Sequence, residues 1–260
     1  MREPVSLTIQ NLSVALGERT VIHQISSTLE GGHLVALVGP NGVGKTTLLR
    51  AVAGLIPSNG AVHIDTTALS SLSLKERAKQ FGYLPQGHVV HWPLRVRDVV
   101  ALGRYPHGAT DPARLPTADA AAVARALKAA DVTSLADRRV TELSGGERSR
   151  VALARVLAVE ASIVLADEPT ASLDPRYQLD IMNVLRSVAN AGSLVIVVTH
   201  DLSLAARFAD TVLVLSDGRL VAQGPSEHAL SEAIMEDVFR VDTYRADFRN
   251  QTIILPWAHV

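Results

Sequence analysis

The stretch Gly39-Pro40-Asn41-Gly42-Val43-Gly44-Lys45-Thr46-Thr47 has the residue types and spacing to hold phosphate. It follows the apolar run Leu34 to Val38 and leads into Leu48 to Ala53, which reads as a helix. Gly39, Gly42, Gly44, Lys45 and Thr46 fit the pattern G-x-x-x-x-G-K-[ST] in the strand–loop–helix context it needs. The glycines let backbone N–H groups turn inward around phosphate oxygens, and the helix N-terminus adds a partial positive charge. In such loops the lysine reaches the β- and γ-phosphates and the threonine hydroxyl ligates Mg²⁺. Gly-Pro-Asn-Gly alone is an ordinary turn. The Gly-Lys-Thr ending selects a nucleoside triphosphate.

Two further stretches carry chemistry. Ile163 to Ala166 is an apolar strand sequence that ends abruptly in Asp167-Glu168. Strand C-terminal ends are where α/β sheets place their ligands. Asp167 suits a Mg²⁺ shell, and Glu168 can orient and deprotonate an attacking water. Taken alone the pair is a solvated start to a loop; downstream of a phosphate loop it reads as functional. Leu143-Ser144-Gly145-Gly146-Glu147 stands just before the helical run Arg148 to Ala158, a second helix N-terminus able to meet a phosphate. By itself Ser-Gly-Gly is also a common N-capping loop.

These residues need a scaffold, and 260 residues, 47% of them apolar, suffice for one large domain or two modest ones around a buried core. A formal net charge of −1 gives no bulk attraction to nucleic acid or anionic lipid, so no nucleic-acid partner is expected. The absence of cysteine removes disulfides, thiolate metal sites and a cysteine nucleophile. MREPVSLTIQ lacks the basic-then-apolar pattern of a signal peptide. No apolar segment reaches the roughly 18–20 residues that a membrane-crossing helix requires. The expected location is the cytoplasm, with any membrane role exercised through a partner.

The pattern of elements implies an α/β fold. Leu7 to Val14 and Val21 to Leu29 alternate as half-buried strands about a turn at Gly17-Glu18, an antiparallel β layer. Gly54, Pro57 and Gly60 mark a break before a short strand at Ala61 to Asp65. Ser73 and Glu76 form a capping box for a helix to Lys79. A strand at Phe81 to Gln86 follows, ending in a polar residue. From there to about Thr141 the chain turns helical, at Val96 to Leu102 and Ala118 to Ala130. Pro93, Pro106, Pro112 and Pro116 punctuate the connections. The β/α alternation returns at Ala161 to Ala166, Ser193 to Thr199 and Thr211 to Leu215, implying a mainly parallel sheet. Asp217-Gly218 predicts a hairpin, and the tail from Ser231 starts as a helix and ends irregularly through Ile253 to Trp257. The expected organisation is a nucleotide-binding core at 1–86 and about 142–230. A helical subdomain is inserted at about 87–141, and a tail covers about 231–260.

Together these residues resemble the ATPase subunit of ATP-binding-cassette (ABC) transporters, across nearly the whole chain. The family's ordered markers are the phosphate loop at 39–46, a Q-loop glutamine at Gln86, the LSGGE signature at 143–147 and the Asp167-Glu168 pair. Ser172-Leu173-Asp174 matches the D-loop, and His200 stands where the switch histidine does. The signature is specific to this class; phosphate-loop kinases and small GTPases lack it. The resemblance implies a phosphate-loop NTPase core that works as a head-to-tail homodimer with ATP and Mg²⁺. Ser144, Gly145 and Gly146 of one copy cover the nucleotide held at Gly39 to Thr47 of the other. It further implies Glu168 as base, His200 as a γ-phosphate contact and Gln86 as a link from metal or water to the helical insertion. Asp174 bridges the copies, and Thr46, Gln86 and Asp167 serve the Mg²⁺. One departure is Leu16, which stands where many members stack adenine on an aromatic residue.

Val96 to Pro106, ending Leu102-Gly103-Arg104-Tyr105-Pro106, resembles the corresponding stretch of importers for ferric siderophores, haem and cobalamin. That group implies membrane permease subunits contacted through the region after Gln86, a substrate-binding protein outside, and a place on the cytoplasmic face of the membrane. An exporter ATPase and a non-transport cassette protein stand as alternatives. His88, His91 and His107 read as solvated loop residues, with no metal beyond Mg²⁺.

Overall fold

The computed structural model describes residues 4–87, 93–249 and 251–260. Two compact units emerge, one running to Ser71 and resuming at Val188, the other spanning Leu72 to Ser187.

In the first unit, β1 (Ser6–Leu16) and β2 (Arg19–Glu30) pair antiparallel about Gly17-Glu18, as the alternation predicts. Leu7, Ile9, Leu12 and Val14 are buried; Asn11, at φ 48°, sits at the register shift that lets the series resume after Ile9. β3 (Leu34–Val38) is buried at all five positions and delivers the chain to α1 (Lys45–Val52). β4 (Asn59–Ile64) and the short β5 (Thr67–Ala68) complete a sheet of order β2-β1-β4-β5. Gly60, expected to mark a break, lies inside β4. At φ +95° a Cβ there would come within 2.5 Å of the Gln10 and Asn11 carbonyl oxygens, so the strand tolerates only glycine at its bulge.

The second unit opens with α2 (Leu74–Gln80), capped as expected by Ser73 and Glu76. β6 (Phe81–Leu84) follows, then α3 (Val96–Ala101), α4 (Thr117–Ala129), α5 (Gly145–Leu157) and β7 (Ile163–Asp167). β6 and β7 pair in parallel from Phe81↔Ile163 to Leu84↔Ala166. The helices close on a cluster that includes Val96, Val99, Val100, Val123, Leu127 and Val151. Pro106 belongs not to a connection but to a 3₁₀ turn spanning Leu102–His107. Within it, a Cβ on Gly103 would meet the Arg155 carbonyl oxygen at 2.2 Å, so this backbone can approach α5 only without a side chain. Arg104 beside it is buried, with Nε on Asp119 at 2.7 Å and one terminal nitrogen donating to the Ala158 carbonyl at 2.8 Å. The turn is therefore held by an ion pair as well as by packing.

α6 (Pro175–Asn190) carries the chain out of the second unit. The first then resumes with β8 (Leu194–Val198), α7 (Leu202–Phe208), β9 (Thr211–Ser216) and β10 (Arg219–Gly224). β3 lies between β8 and β9 and is parallel to both, which explains its uninterrupted apolar sequence. Asp217 and Gly218, at φ 45° and 70°, make the predicted turn between β9 and β10. After short helical turns the tail departs from expectation. Its end is not irregular but a hairpin of β11 (Val241–Phe248) and β12 (Gln251–His259). Pro256 fits because a two-stranded sheet has only edges, and the register shifts right beside it. Among the described residues, no helix is long and apolar enough to cross a membrane.

Candidate functional site

In the first unit, β3 ends where the phosphate loop begins. Gly39 is buried at φ +151°, and a Cβ there would lie 2.1 Å from the Leu215 carbonyl oxygen. Gly42 and Gly44 also take positive φ, +79° and +103°. Gly44 is the N-cap of α1, which has no side-chain cap and no acidic residue in its first turn. A helix start of this kind offers main-chain donors and a positive dipole end, the chemistry of an anion site. Lys45 is only 6% exposed, and its ammonium group donates to the carbonyls of Gly39 at 2.7 Å and Pro40 at 2.8 Å. That ammonium adds positive charge to the loop, which suits a polyanion. Thr46 and Thr47 follow it, half-buried, in the first turn, while Pro40, Asn41 and Val43 complete the loop at or near its surface. The donor set fits a triphosphate.

His200 is exposed and immediately follows β8, between Thr199, which is 2% exposed, and Asp201, the N-cap of α7. It shares the lining of a cavity of about 230 Å³ with Gly39, Pro40 and Asn41. The structure therefore brings the first residues of the phosphate loop and His200 together. Phe239, Val241 and Pro256 of the tail line the same cavity. Sequence reasoning missed them, because no local pattern ties an apolar tail to a loop two hundred residues earlier.

The second unit holds the carboxylates. Asp167, the last residue of β7, is fully buried, and Glu168 follows it half-buried. Gln86 lies just beyond β6, and the parallel pairing of β6 with β7 aligns the two strand ends. Its side-chain amide donates to a Glu168 carboxylate oxygen at 2.6 Å. The Tyr83 hydroxyl donates to Asp167 at 3.4 Å, a long contact from a residue that the sequence reading did not single out. Glu168 has φ 49°, a left-handed conformation that a residue with a Cβ adopts at a cost.

Ser144 is the N-cap of α5, and its role is local as well. Its hydroxyl accepts from the Glu147 N–H at 3.3 Å, while Glu147 accepts from the Ser144 N–H at 2.7 Å. Hydrogen bonding to the carboxylate from the Ser144 main chain foremost, and then from its hydroxyl, holds the Glu147 carboxyl below its ordinary range. The last residue of the signature motif therefore closes a capping box, a second Ser-x-x-Glu that the sequence displays as plainly as Ser73 to Glu76. Gly145 faces open space, whereas a Cβ on Gly146 would lie 2.8 Å from the Tyr177 ring. Asp174 is exposed directly before Pro175, the first residue of α6. Leu16 is 52% exposed at the end of β1, and no aromatic residue precedes Phe81.

The histidine readings divide. His107 is not solvated: half-buried, it places Nε2 2.9 Å from the Val159 carbonyl oxygen, so the fold itself occupies it. His88 and His91 lie outside the described residues. No group of three or more His, Cys, Asp or Glu side chains suited to a metal occurs among the described residues.

Comparison with known proteins agrees with the site. Residues 22–171 match the family model described as ABC transporter. The hemin import ATP-binding protein HmuV of Rhodococcus jostii (strain RHA1) is 41% identical over 257 residues, covering 97% of this chain and 86% of that protein. The protein of the same name from Nocardia farcinica (strain IFM 10152) is 44% identical over 225 residues, 85% of this chain and 76% of its own. Among solved structures, a chain assigned to a metal-chelate type ABC transporter in an inward-facing conformation superposes with a TM-score of 0.83. It is 25% identical, with 97% of this chain and 98% of that one covered. The mixed α/β fold expected from the pattern of elements, with its antiparallel N-terminal layer, is the fold of this group. On the phosphate loop, the strand-end carboxylates, the signature helix and these likenesses together, the chain belongs to the ABC transporter ATPase family.

Proposed function

We propose that the chain is the ATP-hydrolysing subunit of a membrane importer for haem or a related ferric chelate. The observation that carries this reading is the 41% identity to a hemin import ATP-binding protein over 97% of the chain. It works as a homodimer on the cytoplasmic face of the membrane, bound to permease subunits through the region after Gln86. A substrate-binding protein delivers the cargo on the other side. The helical segment at about 87–141 is the inserted subdomain that transmits the state of the site to those subunits.

ATP with Mg²⁺ supplies the phosphoanhydride whose cleavage drives the cycle. Main-chain N–H groups of the phosphate loop from Asn41 to Thr47 and the Lys45 ammonium hold the phosphates, and Thr46, Gln86 and Asp167 serve the metal. Glu168 takes a proton from the attacking water; its hydrogen bond to Gln86 supports the view that base and Q-loop move as one. His200 steadies the γ-phosphate. Ser144, Gly145 and Gly146 cover the nucleotide of the other copy, and Asp174 bridges the two. Each differential contact favours the closed dimer while the γ-phosphate is present, and its loss lets the dimer open.

Glu168→Gln tests the chemistry. The variant binds ATP and accumulates as a dimer, while hydrolysis falls about 10²-fold or more; unchanged turnover rules Glu168 out as base. Growth tests the cargo. Cells without this chain lose growth on haem as sole iron source and keep growth on ferrous salt. Undiminished growth on haem overturns haem as the cargo.

A further inference from the structure

The hairpin β11–β12 has no part in the roles above, yet it is anchored beside them. Ile254 of β12 is 1% exposed, in a cluster with Leu202, Ala205 and Met235. Its carbonyl accepts a 2.6 Å hydrogen bond from the Ser203 hydroxyl, across 51 residues of chain. Arg245 of β11 adds a second tie by donating to the Leu230 carbonyl. Ser203 lies in the first turn of α7, three residues beyond His200. A helical serine commonly bonds back to its own helix; this one reaches out to the hairpin instead.

α7 has only seven residues, far below the roughly 12–15 at which an isolated helix becomes even marginal in water. Its position must therefore come from what packs against it. On one side of His200, Thr199 is buried at the end of β8 and its hydroxyl accepts from the Asp201 N–H at 3.1 Å. On the other, Asp201 accepts from the Leu204 N–H at 2.9 Å and begins the helix that Ser203 fastens to β12. The strand end is fixed by the sheet and the helix start by the hairpin, with the imidazole between them. Pro256 and Val241 further wall the cavity that His200 shares with Pro40 and Asn41.

We propose that Ser203 is a positioning residue through which the C-terminal hairpin fixes the start of α7, and with it His200, for hydrolysis. This rests on His200 acting at the γ-phosphate. Misplacing a reacting group by about 1 Å can cost as much as 10²-fold in rate, and loss of one hydrogen bond costs less. Ser203→Ala in the full chain therefore lowers kcat about 5–10-fold, leaving KM for ATP and the nucleotide Kd within about twofold.

The experiment compares the wild type, Ser203→Ala, Ser203→Thr, His200→Ala and the Ser203→Ala/His200→Ala pair by steady-state hydrolysis, nucleotide binding and thermal melting. Support consists of a kcat loss in Ser203→Ala at unchanged KM, its recovery in Ser203→Thr, and no added loss when Ser203→Ala is combined with His200→Ala. An equal further loss in the double variant overturns the proposal, as does a fall in activity that tracks the melting temperature, or a Ser203→Ala enzyme with full turnover. If His200→Ala alone hydrolyses at the wild-type rate, the reading of His200 fails and this proposal with it. If His200→Ala is impaired and Ser203→Ala is not, only the positioning role is lost.

Discussion

The helix starts at α1 and α5 both bear sequence marks for phosphate, and they are built in opposite ways. α1 begins at a left-handed glycine, with neither a side-chain cap nor an acid in its first turn. α5 begins at Ser144 and carries its own carboxylate, Glu147, folded back over the helix start. The first can be completed by an anion from outside; the second is already capped and stands formed without one. α2 shows the same Ser-x-x-Glu box without the glycine pair of the signature. A capping box is thus a folding device, and what separates α5 from α2 is the pair of glycines between serine and glutamate. Gly146 is needed by the fold, against Tyr177, whereas Gly145 faces open space.

Substitutions can break that contrast at either end. The largest effect is expected at α1: Lys45→Ala lowers kcat/KM for ATP about 10²–10³-fold, since it deletes a buried cation from the phosphate site. Comparable turnover in that variant would mean that α1 is not the primary phosphate site. Next come the two glycines. Gly146→Ala drives a methyl group into the Tyr177 ring and destabilises the chain by about 1–3 kcal/mol in chemical denaturation. Gly145→Ala changes stability by less than about 0.5 kcal/mol, so a fall in its hydrolysis rate reports what that face meets in the proposed dimer.

Ser144→Ala lowers stability by about 1 kcal/mol through loss of the cap, and Ser73→Ala also lowers it. Only the first is expected to reduce turnover; if both do, the signature serine acts through folding alone. The smallest effect is that of pH. Glu147 and Glu76 are both held below the ordinary glutamate value of 4.5, by the Ser144 main chain and the Ser73 hydroxyl respectively. The unfolded chain therefore binds these protons more readily than the folded one. The boxes contribute fully above about pH 4.5 and fade as pH falls through the lowered values, with no change on the alkaline side. Far-ultraviolet circular dichroism between pH 6 and about pH 3 checks the sign.

How much of this was legible follows from the range of each signal. Gly39 to Thr47 and Asp167-Glu168 could be read because each is a run of neighbours whose meaning lies in its own spacing and in the strand before it. The bond from Gln86 to Glu168 spans 82 residues, and only the parallel register of β6 and β7 creates it. Tyr83 was hidden for the same reason. The tail read as irregular through Ile253 to Trp257, and the bulge that admits Pro256 exists only once β11 and β12 have paired. His107 read as solvated because nothing in a loop sequence announces the carbonyl of Val159.

The backbone at Glu168 leads somewhere else. At φ 49° the position suits glycine, or at less advantage asparagine, and a glutamate there costs the fold about 1 kcal/mol or more. On the proposed role of Glu168 as base, thermostability and turnover therefore pull in opposite directions at one residue. Selection for heat resistance alone should drift toward Glu168→Gly, a chain expected to melt later and to hydrolyse ATP about 10²-fold more slowly or worse.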